Sequence, residues 1–238
     1  MKKIITAVMF IALSTFSAKA IDLSVFSLTA GIASNQGVFG ATATEKNEDN
    51  SGANKVNATK TESGVFTDSY TSQFIELGIG RWISLGYEHT PDSVSTPTNT
   101  TRHGNAAGEN NVSVDFNDLN TTYLKLNLPV VEGLFIKAGT VETDLDIKEV
   151  MGSGSTYANK STEGTVMGIG YDKQVGETGF GLRIEANYLE LDPVQTDNGI
   201  ASGTASDADG STSRNEIRAK NLEGLTAKIA LTYTLGRN

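Results

Sequence analysis

Cysteine is absent from the 238 residues, so neither a disulfide staple nor a thiolate metal site can form. Proline is scarce, with four residues, and aromatics make up 7% of the chain. Only 38% of the chain is hydrophobic, and no run beyond the N-terminus approaches the roughly twenty apolar residues that a membrane-spanning helix needs. Basic residues number 19 against 28 acids, a formal charge of -9, which argues against a nucleic-acid partner, since that surface needs clustered Lys and Arg. Sustained helical periodicity is missing too. What the chain has is 25 glycines among many Thr, Ser and Asn, the composition of strands joined by polar loops.

Residues 1–20 have the form of an export signal. Lys2 and Lys3 open it, residues 4–16 form an apolar stretch too short to span a bilayer, and Ala18-Lys19-Ala20 supplies small residues at a cleavage site. The expected division is a signal peptide over 1–20 and one β domain over 21–238. Losing Lys2, Lys3 and Lys19 would take the charge from -9 to -12.

Period-two alternation fills the remainder. Phe180, Leu182, Ile184, Ala186 and Tyr188 alternate with Gly181, Arg183, Glu185 and Asn187. Leu225 to Leu235 alternate with Thr226, Lys228, Thr232 and Thr234, and Leu124 and Leu126 with Tyr123 and Lys125. Eight strands are predicted, at 21–34, 72–80, 82–90, 112–128, 133–146, 163–173, 179–192 and 215–236. Between Val25 and Phe26 the apolar parity changes, which suits a bulge. Short and long connections alternate: tight turns follow 80, 129 and 174, while long polar stretches occupy 35–71, 91–111, 151–162 and 193–214. All four prolines, at 91, 97, 129 and 193, fall at strand ends or in loops.

An even strand count with tight turns at one end and long loops at the other is the pattern of a membrane barrel. In hydrocarbon every backbone N–H and C=O needs an internal partner, so strands cross only as a closed cylinder. The expected fold is therefore all-β, an eight-stranded antiparallel up-and-down transmembrane β-barrel with short periplasmic turns and long extracellular loops. The apolar face would meet lipid. Tyr87, Tyr171, Phe180, Tyr188 and Tyr233 would form aromatic girdles, because Phe180 and Tyr188 are eight residues apart, roughly 20 Å along the membrane normal for a strand tilted at about 40°. The opposite face carries Glu76, Glu88, Asp172 and Glu185 with Lys125, Lys137, Arg183 and Lys228. These four acids and four bases would pair inside a barrel just wide enough for side chains. The barrel is thus expected to be filled and to conduct little.

The leader, the eight alternating strands and the four long loops resemble the small eight-stranded outer-membrane barrels of Gram-negative bacteria, the group of the OmpA transmembrane domain and OmpX. That resemblance implies residence in the outer membrane as a monomer among outer-membrane lipids and lipopolysaccharide. It also implies a role in envelope integrity, adhesion or phage and host contact through surface loops, here 35–71 and 193–214. The chain departs from the group at its end, Tyr233-Thr234-Leu235-Gly236-Arg237-Asn238, where such proteins finish on an aromatic residue. Tyr233 is the candidate substitute.

Other functions receive less support. A small porin-like channel would share the pattern and differ in conductance. A soluble periplasmic ligand-binding barrel would put its apolar face inside, leaving Arg183, Glu185 and Lys228 on the outside. A lipid A-modifying enzyme would need His with a Ser nucleophile, and the only histidines are His89, at a strand end, and His103, in a loop. No enzyme, cofactor or metal is expected. Asp207-Ala208-Asp209-Gly210-Ser211 begins like a calcium loop but lacks the later acidic ligands. Residues 35–71 have almost no bulky apolar residue before Val65 and Phe66 and are predicted to be solvated and mobile.

Overall fold

The computed structural model describes residues 25–49, 55–102, 109–150, 156–199 and 213–236. The leader, His103, the 207–211 motif and Arg237-Asn238 lie outside these residues. Eleven strands are present: β1 (Phe26–Asp49), β2 (Lys55–Ile79), β3 (Ile83–Thr90), β4 (Val94–Ser95), β5 (Asn99–Arg102), β6 (Glu109–Asn127), β7 (Leu134–Val150), β8 (Lys160–Gln174), β9 (Phe180–Leu191), β10 (Val194–Asp197) and β11 (Ser213–Leu235). Eight of them pair antiparallel in the order β1-β2-β3-β6-β7-β8-β9-β11, and β11 returns to β1, closing a ring. The short strands β4 and β5 add to β6, and β10 adds to β11. Positive φ at Gly80 and Gly176 lets the chain reverse in the tight turns after β2 and β8.

Register fixes the geometry of the ring. Starting at Leu235, partners run through Leu28, Leu77, Leu85, Leu124, Ala138, Met167 and Tyr188 and return to β11 at Leu225. One circuit therefore climbs ten residues, from 235 to 225. A ring of eight strands with such a stagger has strands tilted by about 40°.

Alternation sorts the side chains by face. Arg183 is 1% exposed and Lys228 3%, while their neighbours Leu182, Ile184 and Ile229 are 55%, 56% and 66% exposed. The interior is thus polar in one layer, and the apolar residues coat the outside. This polarity excludes the soluble ligand-binding barrel. Toward the hairpin end a second interior layer is apolar, built from Phe39, Leu119, Val141, Val166, Leu189 and Leu222.

Glycine makes room for aromatic rings inside. Gly31 pairs with Phe74, Gly86 with Tyr123, Gly170 with Phe135 and Gly224 with Phe39. At Gly31, Gly86 and Gly170 an added Cβ would lie 2.3, 2.3 and 2.4 Å from a ring carbon of the partner. The ring lies flat over the bare backbone of the next strand, filling space that two side chains could not share.

Three sequence expectations are corrected. Residues 35–71 are not a mobile loop, because β1 and β2 pair continuously from Phe26↔Ile79 to Asp49↔Lys55. Above the ring both faces of this hairpin meet water, so its Thr, Ser and Lys carry no apolar alternation although the backbone ladder persists. The parity change at Val25 is not a bulge: β1 begins at Phe26. Bulges occur instead at Gly40/Thr42, Asn47/Glu48 and Asn117/Asn120. Finally, 91–111 and 193–214 are not wholly irregular, since they contain β4, β5, β10 and the outer ends of β6 and β11.

Candidate functional site

The ionic layer occupies the ring interior, and six of the eight main strands contribute to it. β2 supplies Glu76, β3 Glu88, β6 Lys125, β7 Lys137, β8 Asp172, β9 both Arg183 and Glu185, and β11 Lys228. Each is on the inward parity of its strand, so alternation alone directs all eight to one space.

Arg183 forms the first centre. Its Nη1 and Nη2 donate to Glu76 Oε1 and Oε2 at 2.6 and 2.8 Å, a bidentate pair across the ring. Nη2 also donates to Asp172 Oδ2 at 2.8 Å. Lys125 Nζ donates to Glu76 Oε2 at 2.7 Å, and Tyr123 Oη donates to Oε1 at 2.8 Å. Four donors thus converge on one carboxylate that is 1% exposed.

Glu88 forms the second centre. Lys228 Nζ donates to both of its oxygens at 2.5 Å, and Ser72 Oγ donates to Oε1 at 2.7 Å. Glu185 joins the centres, lying 2.6 Å from Lys137 Nζ, 3.4 Å from Lys228 Nζ and 3.6 Å from Arg183 Nη1. With four acids and four bases the layer is neutral as a whole, the condition for charges to stay buried.

Three buried aromatics complete it, and the sequence reading had not assigned them. Arg183 Cζ lies 4.7 Å from the Phe74 ring centre and 5.2 Å from that of Phe135, Lys137 Nζ 4.6 Å from that of Tyr123, and Lys125 Nζ 5.1 Å from that of Phe135. These quadrupole faces offset part of the lost hydration of the cations. The signal was available: Phe74, Tyr123 and Phe135 share inward parity with Glu76, Lys125 and Lys137.

Between the ionic and apolar layers a cavity of about 30 Å³ remains, lined in part by Asn35, Glu88, Thr90, Asn187, Thr226 and Lys228. Thr90 Oγ1 and Asn187 Oδ1 are buried there without a hydrogen-bond partner. The space accommodates a water or two and forms no continuous aqueous path.

The aromatics named for girdles are on the outer face. Phe180 stacks on Tyr233 with ring centres 4.9 Å apart, near the turn end. Tyr171 and Trp82 are exposed near the same end, Trp82 being an addition. Tyr188 lies farther up β9. Tyr87 is tied into the wall, its hydroxyl donating to Asn120 Oδ1 at 2.8 Å. The same oxygen is 2.8 Å from His89 Nδ1, so the histidine is held by an amide.

Comparison with known proteins agrees with this architecture. A scan against protein-family models finds no match, and a search of curated proteins finds none. Among solved structures the chain is similar to the outer membrane protein OprG from Pseudomonas aeruginosa, at 12% identity and a TM-score of 0.51, covering 84% of this chain and 95% of that one. It also resembles the outer membrane protein AlkL, at 12% identity and a TM-score of 0.43 over 93% and 96%. A third match is Ail, the attachment invasion locus protein of Yersinia pestis, at 7% identity and a TM-score of 0.36 over 85% and 99%. This chain has the fold of a small eight-stranded outer-membrane β-barrel.

Proposed function

We propose that the protein resides in the outer membrane of a Gram-negative bacterium, exported by its N-terminal leader, and serves as a closed structural and surface-interaction barrel. The observation that carries this reading is the filled interior. An ionic layer of eight charged side chains and an apolar layer of Phe39, Leu119, Val141, Val166, Leu189 and Leu222 stack across the lumen, leaving about 30 Å³ between them. A channel needs a continuous wet path, and this interior provides none.

The surface-facing role falls to the hairpin end. The β1–β2 hairpin rises above the ring on residues with both faces exposed, and β4, β5 and β10 stiffen its neighbours. Partners would therefore meet ordered strand edges and hairpin faces at 35–71 and 193–214, with lipopolysaccharide surrounding the wall below.

Reconstitution in a planar bilayer tests the closed state. The expected result is a baseline without stable openings in the nanosiemens range, and steady openings of that size would overturn it in favour of a porin-like channel. Comparing electrophoretic mobility with and without boiling tests membrane folding, because a closed barrel resists detergent until heated.

A further inference from the structure

Resting on the reading that the ring spans a membrane, the outer wall carries an unassigned feature. Its apolar coat is uneven. On β11 the outward residues are apolar from Leu235 through Tyr233, Leu231, Ile229 and Ala227 to Leu225, a rise of roughly 25 Å along the membrane normal. On β1 the outward apolar set ends at Ile32, and Ser34 and Gln36 follow. Polar outward groups therefore begin, on β1, β2 and β3, at depths where β9 and β11 still face hydrocarbon.

Along that boundary the wall is hollowed into a groove of about 780 Å³. It follows one row of register partners, Leu231, Ile32, Gln73, His89, Asn120 and Glu142, from β11 to β7. Because a full circuit climbs ten residues, these five steps climb about six, roughly 15 Å along the normal and close to the depth of one leaflet's hydrocarbon. The floor is low because Ala30 sits in the adjacent row.

The two ends differ in chemistry. At the lower end Ala30, Ile32, Leu231, Phe180 and Tyr233 present only carbon and a phenol edge. At the upper end Gln73, His89 and Tyr87 gather around Asn120, whose amide is pinned by Tyr87, His89 and the Asp118 carbonyl. The Asn117/Asn120 bulge and a φ of 49° bring Asp118 to this end, beside Glu142. Among the described residues the lining holds two acids and no lysine or arginine.

We infer that this groove holds a single membrane lipid, with one acyl chain along the Ala30–Leu231 half and an ammonium-bearing head group at the Asp118–Glu142 end. The apolar half excludes a soluble ligand, and the climb of one leaflet matches a chain lying beside the wall. The acids without a basic counterpart select an ammonium head over a purely anionic one.

Native mass spectrometry of the full chain in detergent, with equimolar dioleoyl phosphatidylethanolamine and dioleoyl phosphatidylglycerol, tests this. The expected spectrum is a one-to-one adduct that favours the ethanolamine lipid by up to about fivefold, the scale of an exposed charge contact. Ala30→Trp, which fills the slot from an exposed position, should abolish the adduct, whereas Ala186→Trp, outward on β9 and outside the groove, should leave it. The double variant Asp118→Asn/Glu142→Gln should keep the adduct but bind the two lipids equally. An adduct that survives Ala30→Trp, a preference for phosphatidylglycerol in the wild-type chain, or a protein dimer in place of the lipid adduct would overturn the inference. Heat-modified mobility of each variant separates the two readings: a chain that never forms a detergent-resistant barrel defeats the membrane reading, and a folded barrel without the lipid preference defeats this inference alone.

Discussion

Arg183 on β9 and Glu76 on β2 are separated by 107 residues and share no backbone ladder, yet their side chains meet through two hydrogen bonds of 2.6 and 2.8 Å. The pair is a strut across the ring, and it is accompanied by Asp172, Lys125 and Tyr123 in one connected layer.

Arg183→Met should therefore destabilise the barrel by about 3–5 kcal/mol, because Glu76 and Asp172 would remain buried with only Lys125 to balance them. The double variant Glu76→Gln/Arg183→Met should lose less than the single one, since Asp172 and Lys125, 3.7 Å apart, survive as a neutral pair. Urea unfolding in detergent micelles, followed by heat-modified mobility, gives both values. Equal losses in the two variants would show that the layer is not coupled.

Gly86→Ala should cost about 1–3 kcal/mol, as its new methyl would meet the Tyr123 ring in a packed interior. Combining it with Tyr123→Leu should recover part of the loss at that contact while adding the loss of the Tyr123 hydrogen bond to Glu76. The same urea titration measures the difference between the single and double variants.

Acid should loosen the hairpin end before the ring. Asp115 is held below the usual carboxylate range by its hydrogen bond from Lys148. Asp197 is held low by the Gly199 backbone N–H and by Arg214. A carboxylate with a lowered folded value stabilises fully above its unfolded value near 3.9, and the contribution disappears as pH falls through the lower folded value. Amide exchange in β4, β10 and the outer halves of β6 and β11 should therefore accelerate below about pH 4 while the central strands stay protected. Uniform acceleration would contradict this order.

Replacing residues 45–60 with Asn-Gly should leave the ring intact. Thr44 and Thr61 are register partners joined by a 3.1 Å hydroxyl contact, so a two-residue hairpin turn fits between them. The shortened protein should keep its heat-modified mobility, with a stability change within about 1 kcal/mol. Loss of the folded band would mean that the upper hairpin supports the barrel.

Much of this architecture was legible from parity. Leu182, Ile184 and Leu231 are outward and Arg183, Glu185 and Lys228 inward because a strand offers two faces and the sequence sorts its residues between them. Parity also encoded Phe74, Tyr123 and Phe135 as interior, although nothing in a single strand shows that Gly31, Gly86 and Gly170 will lie opposite them. The upper hairpin was illegible because its two faces have the same solvent, which removes the contrast that alternation needs. The groove was hidden for another reason. It runs across six strands, from Leu231 to Glu142, along a register that depends on the shear of the closed ring rather than on any stretch of sequence.

The seam between β1 and β11 joins the two extremities of the polypeptide through a ladder running from Leu28↔Leu235 to Asp49↔Ser213. Assembly is therefore all-or-none: until the final segment arrives, β1 and β9 each present a bare edge that hydrocarbon does not tolerate. Truncation near the C-terminus would not shorten the molecule by one layer, as it would in a repeat protein, but would leave an open sheet with no stable place in the bilayer.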